Sequence, residues 1–179
     1  MTTSDVYVWQ RSPERHFEEG FRQIAQSRMR GLPICNPKIH VRAFGFTRYQ
    51  QHWIGAVVTP WSLLVVFACG NAQTWLDVPV TKVTALQLPA GSFSFMGIDD
   101  PLLGKYLACS LMSPLADIPD QRTAEAIASQ ALSLMMSNKT IAIKEEAGTP
   151  LTPEKTPFEK TSASRRDFFA KPWKQRETK

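Results

Sequence analysis

The sequence predicts an α+β fold. It is a two-layer sandwich: an antiparallel sheet of about six strands carries an N-terminal and a C-terminal helix on one face, followed by a disordered C-terminal tail. Three observations predict it. Apolar residues recur at helical spacing near each end of the body, and between them the chain reads as strands alone. No helical stretch separates one strand from the next, so parallel crossovers have no room and the strands run antiparallel. After Asn138 the apolar pattern ends and charges and prolines take over, a composition that cannot bury enough to order itself.

The first helix is expected at Ser12. Ser12 suits the N-cap, Pro13 the first helical position and Glu14 the positive end of the helix dipole. Phe17, Phe21, Ile24 and Arg28 follow at intervals of three and four, one stripe facing a core. Gly31, Pro33 and Pro37 stop the helix. In HVRAFGFTRY the residues alternate, with Val41, Ala43, Gly45 and Thr47 on one face and Arg42, Phe44, Phe46 and Arg48 on the other. HWIGAVVT returns across Gln50–Gln51 as the second arm of a hairpin. TPW breaks the chain, and SLLVVFAC is a continuous apolar run, as a strand buried on both faces requires. Past the GNAQTW turn, KVTALQLP and GSFSFMGI are two strands joined through Pro89–Gly91, and GKYLACSLMSPL is the last. A second helix is expected in DQRTAEAIASQALSLMMS, with Asp120 as its cap and Ala124, Ile127, Ala131, Leu134 and Met135 as its apolar face. Residues 1–138 thus read as a globular domain and 139–179 as a flexible, basic, proline-containing tail.

Composition narrows the function. With 179 residues, 43% of them hydrophobic and 21% charged, the chain is one soluble domain able to bury a core. No run approaches the roughly 18 apolar residues of a membrane helix, so no membrane insertion is expected. MTTSDVYVWQRSPERHF has no basic region followed by an apolar one, and a cytoplasmic protein is expected. Cys35, Cys69 and Cys109 stand far apart, as reduced thiols do. Cys35 with His40 has no second pair to complete a tetrahedral site, so neither metal nor cofactor is expected. Residues 1–138 hold 11 Lys/Arg and 10 Asp/Glu, whereas 139–179 hold 10 and 6. A near-neutral body with a basic tail argues against a nucleic-acid surface on the fold itself.

Catalytic groups do not converge in the sequence either. His16, His40 and His52 have no companion Ser, Cys or Asp spacing, and there is no phosphate-cradling loop or dinucleotide fingerprint. Asp99–Asp100 before Pro101 suits a turn. The protein therefore reads as a binder, not an enzyme. Trp9, Trp53, Trp61, Trp75 and Trp173 are many for this length; with methionine they suit a surface that grips apolar peptide, although large aromatics also fill cores. Trp53 and Trp61 are the aromatic candidates, Trp61 first because it follows Pro60. Asp99 and Asp100, with Asp117 and Asp120, are the candidate acidic groups.

Three blocks carry a resemblance. VVTPWSLLVVF holds Thr59-Pro60-Trp61; LQLPAGSFSF holds Leu88-Pro89 and Gly91; KYLACSLMSPL holds Tyr106, Cys109-Ser110-Leu111 and Ser113-Pro114. In that order, from about Trp9 to Met135, the chain resembles the [NiFe]-hydrogenase assembly chaperones of the HybE type. The resemblance implies a non-enzymatic maturation factor that holds precursors of the hydrogenase small and large subunits. It also implies that premature twin-arginine export of the pair is prevented, the signal residing on the small subunit. Some members of the family carry an iron-binding rubredoxin domain; this chain has no CxxC pair, so iron binding is not implied. Pro60, Pro89, Gly91 and Pro114 are turn residues and serve as fold markers.

The tail adds SRRDFFAK, Ser164–Lys171, which spells a twin-arginine motif at the wrong end of the chain. A working signal continues into an apolar stretch, whereas Lys171, Lys174, Arg176 and Lys179 follow here. Two readings are open. In one, the tail is merely solvated. In the other, Arg165, Arg166, Phe168 and Phe169 mimic the client's twin-arginine signal peptide and occupy its groove, helped by a tether whose effective concentration is on the order of millimolar. A third reading makes the chain a general peptide- or nucleic-acid-binding adaptor, its tail meeting phosphates and stacking aromatics on bases. The near-neutral body offers that reading no groove, and no nucleic-acid partner is expected.

Overall fold

A computed structural model describes residues 6–138. Residues 139–179, the expected tail, lie outside the described residues. The elements are α1 (Glu14–Gln26), β1 (Arg42–Tyr49), β2 (His52–Val58), β3 (Leu63–Ala68), β4 (Val83–Leu88), β5 (Gly91–Asp100), β6 (Gly104–Met112) and α2 (Gln121–Met135). The strands form one antiparallel sheet in the order β1-β2-β3-β6-β5-β4. Two three-strand meanders thus join at a β3–β6 seam. The α+β class, the six-stranded antiparallel sheet and the helix at either end are as expected.

The expected two-layer packing is not what forms. Ile54, Ala56 and Val58 of β2, with Leu63, Val65 and Phe67 of β3, pack against Ala124, Ala128, Leu132 and Met135 of α2. The alternate residues Val57, Val66 and Ala68 pack against Phe17, Phe21 and Ile24 of α1. The helices therefore lie on opposite faces, in three layers. The reason is that β2 and β3 are apolar on both sides. Placing both helices on one face would leave two valines and their neighbours in water, at roughly 1.5 kcal/mol or more for each large side chain.

Local details follow the same logic. Pro13 occupies the N-cap position of α1, one place earlier than expected, and Ser12 Oγ accepts the Glu14 amide at 3.4 Å. Arg28 lies beyond the end of α1 and does not extend its stripe. In the α1 core the Phe17 ring stacks on Phe46, with centroids 5.7 Å apart, and meets Tyr106 edge-on at 5.2 Å.

Strict alternation fails in β1. Phe44 pairs with Ala56 and Thr47 with Ile54, so Gly45 and Phe46 together oppose Gly55. This is a β-bulge, and Gly45 supplies its left-handed backbone with φ +71°. The extra residue puts Ala43 and Phe46 in the α1 core while Phe44 turns to the α2 side. A Cβ on Gly55 would overlap the Phe46 ring that lies across it.

The α2 cap is as expected, Asp120 Oδ1 accepting the Thr123 amide at 2.7 Å. Its buried face is rotated from the one expected: Ala124, Ala128, Leu132 and Met135 point inward, and Leu134 is 49% exposed. Small residues at 124 and 128 let the helix approach the sheet, and Leu132 reaches over Gly45. The end of α2 is tied to the β4–β5 turn by the Ala90 amide, which donates to Met135 O at 3.1 Å.

Candidate functional site

The four body residues chosen from sequence do not form one cluster. Trp53, the second residue of β2, is half-buried, donates from Nε1 to Trp9 O at 2.9 Å and lies under the Arg48 guanidinium, 4.6 Å from the ring centroid. Trp9 in turn donates its amide to Cys69 O at 2.8 Å. Trp53 thus pins the segment before α1 to the sheet, a packing role.

Trp61 is held by the loop Thr59–Ser62. The Thr59 amide donates to Ser62 O, and the Ser62 amide to Thr59 Oγ1, both at 2.9 Å, with both residues buried. Pro60 O accepts the Asn36 amide at 2.8 Å, and the Ser113 hydroxyl donates to Trp61 O at 3.1 Å. Trp61 stands half-buried at the flank of α1, its ring 6.5 Å from Phe21.

Asp99 and Asp100 point to opposite faces of β5, so they form no carboxylate pair. Asp100 anchors a turn: Oδ2 accepts Arg28 Nη2 at 2.7 Å and Oδ1 accepts the Leu102 amide at 2.9 Å. Burial opposes its ionisation, but the Arg28 and amide donors prevail and hold it below the usual carboxylate range. Burial, with the Asp100 charge nearby, pushes the Tyr106 phenol up. Asp99 is exposed beside its cross-strand neighbour Lys105. Asp120 is committed to capping α2. Asp117 lines a separate cleft of about 590 Å³ walled by Pro33, Pro37, Pro114 and Pro119. Behind that cleft, buried Asn36 donates from Nδ2 to Leu115 O and Ile118 O, both at 2.9 Å. Arg165, Arg166, Phe168 and Phe169 lie outside the described residues.

The surface that sequence reasoning missed is the half of the sheet that α1 does not cover. A helix about 10 Å across spans two strands spaced about 4.8 Å apart; α1 centres on β1 and β2 and reaches Val66 of β3 and Tyr106 of β6 at their near ends. On the same side, beyond Leu64 of β3 and Ala108 of β6, which border the α1 core, the sheet presents Ser110 of β6; Ser92, Ser94 and Met96 of β5; and Val83, Ala85 and Gln87 of β4. The register sets Met96 between Val83 and Ala108, and Ser94 beside Ala85. None of these side chains is charged, and Val83 and Met96 are 59% and 40% exposed. Such a surface has no acid or base to offer; it can exchange water for small and apolar groups of another chain. The alternation in KVTALQ and SFSFM signalled exposed positions, but not that they join into one uncharged face.

The other side of β4 borders a cavity of about 490 Å³ lined by Leu86, Leu76, Phe67, Thr74, Gln50, Gln51 and His52. His52 is buried; its Nδ1 accepts the Gly70 amide and its Nε2–H donates to Thr74 O, each at 3.2 Å. Burial pushes its pKa down, opposed by the Thr74 carbonyl and aided by Arg48. Burial also pushes the Cys69 and Cys109 thiols up.

The family model described as "[NiFe]-hydrogenase assembly, chaperone, HybE" matches residues 12–171. The chain belongs to the HybE family. Hydrogenase-2 operon protein HybE of Escherichia coli (strain K12) is 33% identical over 143 residues, spanning 78% of this chain and 88% of that protein. Protein HoxT of Cupriavidus necator is 30% identical over 135 residues, spanning 69% of this chain and 75% of its own. The solution structure of HybE from Escherichia coli aligns with a TM-score of 0.61 at 26% identity, covering 88% of this chain and 98% of that one. Within this HybE-family fold the resemblance residues build hairpins: Thr59–Ser62 closes β2–β3, Leu88–Gly91 closes β4–β5, and Ser113 secures Trp61.

Proposed function

We propose that the protein is a non-enzymatic chaperone of [NiFe]-hydrogenase maturation that works in the cytoplasm. It grips precursor subunits, through the twin-arginine signal of the small subunit, and delays their export until assembly is complete. The observation that carries this reading is the uncharged half-face of the sheet in a member of the hydrogenase assembly family. It suits transient capture of an apolar segment by burial of area, without chemistry.

In the same proposal, Arg165, Arg166, Phe168 and Phe169 act as an internal copy of the signal. The family match runs on to Lys171 and so includes them. A client then has to displace the copy, which raises its apparent dissociation constant. Calorimetry with a small-subunit signal peptide tests both parts, using the full chain and a chain lacking residues 162–179. Tighter binding by the shorter chain is expected. Equal affinities would retire the internal copy and keep the chaperone reading. Absence of binding by either would overturn the signal as the gripped element.

A further inference from the structure

The two edges of the sheet are finished differently. On β1, the Ala43 amide donates to Glu18 Oε2 at 3.0 Å and the Phe46 amide to Glu14 Oε2 at 3.5 Å. The bulge at Gly45 bends the same edge. Carboxylates over the donors and a bulge are the usual means of closing an edge to other chains.

On β4 neither device is present. The Gly97 amide donates to Lys82 O at 2.8 Å, which sets the hydrogen-bonded pairs at Thr84–Phe95, Leu86–Phe93 and Leu88–Gly91. The N–H and C=O groups of Val83, Ala85 and Gln87 therefore point away from β5. Gln87 O accepts the Tyr49 hydroxyl at 3.1 Å; the others have no partner among the described residues. VTALQL has no charge, no proline and no glycine. An extended chain laid along this edge would direct alternate side chains to two uncharged surfaces. One is the bare face at Val83, Ala85 and Met96. The other is the cavity of about 490 Å³ at Leu86, Leu76 and Phe67.

We infer that the β4 edge is the docking site, and that the apolar stretch of the client's signal binds there as a seventh strand. The inference rests on the function proposed above and says where and in what conformation the client is held. Charge decides the occupant. A charged segment would lose its hydration on both flanks and find no counter-charge, whereas the stretch that follows the paired arginines of a signal is uncharged. Main-chain bonds to Val83 and Ala85 hold the strand, and its side chains settle over Met96 and beside Leu86.

Two variants of the full chain test this. Ala85→Pro removes an outward amide at a place where an edge strand tolerates proline, and Met96→Lys puts a charge on the exposed face without altering β4. With a synthetic small-subunit signal peptide in calorimetry, a loss of at least tenfold is expected for A85P and several-fold for M96K. In hydrogen exchange of the unaltered chain, the amides of Val83, Ala85 and Gln87 become protected when the peptide is added. That second readout decides the matter if A85P folds poorly. Full binding by both variants with no new protection overturns the docking edge and leaves the chaperone reading standing. Absence of binding by the unaltered chain overturns both. Protection before any peptide is added that persists in a chain lacking residues 162–179 gives the edge to a second copy or to another part of the chain, and overturns the inference. Protection that the truncation removes supports it, because the internal copy proposed above occupies the client's site.

Discussion

His52 ties the Gly70–Trp75 loop to β2 through a tautomer that a proton would destroy, because a charged imidazole cannot accept the Gly70 amide. Its folded pKa is depressed by burial, so the unfolded chain takes up the proton first, near the ordinary value of about 6.5. The stabilisation is present above that value and is lost as pH falls below it toward the lower folded pKa. The melting temperature should therefore drop between about pH 7 and pH 5, and His52→Gln should flatten that slope; an unchanged slope would place the titration elsewhere. Asn36 carries more weight. Asn36→Ala removes two buried bonds and leaves the Ile118 carbonyl without its donor, while Leu115 O keeps the Ile118 amide; it should cost about 1–3 kcal/mol in urea denaturation. Legibility at this scale follows sequence distance. The Asp120 cap is readable because it closes three residues away, whereas the ion pair of Asp100 is not, because Arg28 is 72 residues distant.

Elements were readable wherever their pattern is self-contained. The continuous apolar run of β3 announces a strand buried on both faces, and all of its residues are buried except Leu64, which is half-buried. In β1 the alternation broke, because the bulge depends on an opposing glycine in another strand. Gly55→Ala should cost about 1–3 kcal/mol by forcing Phe46 off its seat. Gly45→Ala should cost about 1–2 kcal/mol for holding a side chain at positive φ. Both are read as lowered midpoints in chemical denaturation, and a neutral result for G55A would mean that the Phe46 ring has room to shift. The phase of α2 was misjudged for a related reason. Ile127 and Leu134 look like better core residues than Ala128, but a helix pressed close to a sheet needs the small side chain inward.

At the scale of the whole molecule, the two cores lie one on each side of β2 and β3. A chain ending at residue 142, where the first compact unit ends, should unfold cooperatively with a melting temperature within about 4 °C of the full chain, a difference worth about 1 kcal/mol. A broad transition would show that later residues complete the core. The sequence by itself determined the elements, the antiparallel sense of the strands and the family, because helical spacing, strand alternation, caps, turns and motif blocks are settled within a few neighbouring residues. Only the tertiary structure decided that the helices take opposite faces, that half of one face stays bare and that β4 keeps an open edge. Those outcomes depend on which distant apolar surfaces meet, and on a helix being two strands wide while the sheet is six.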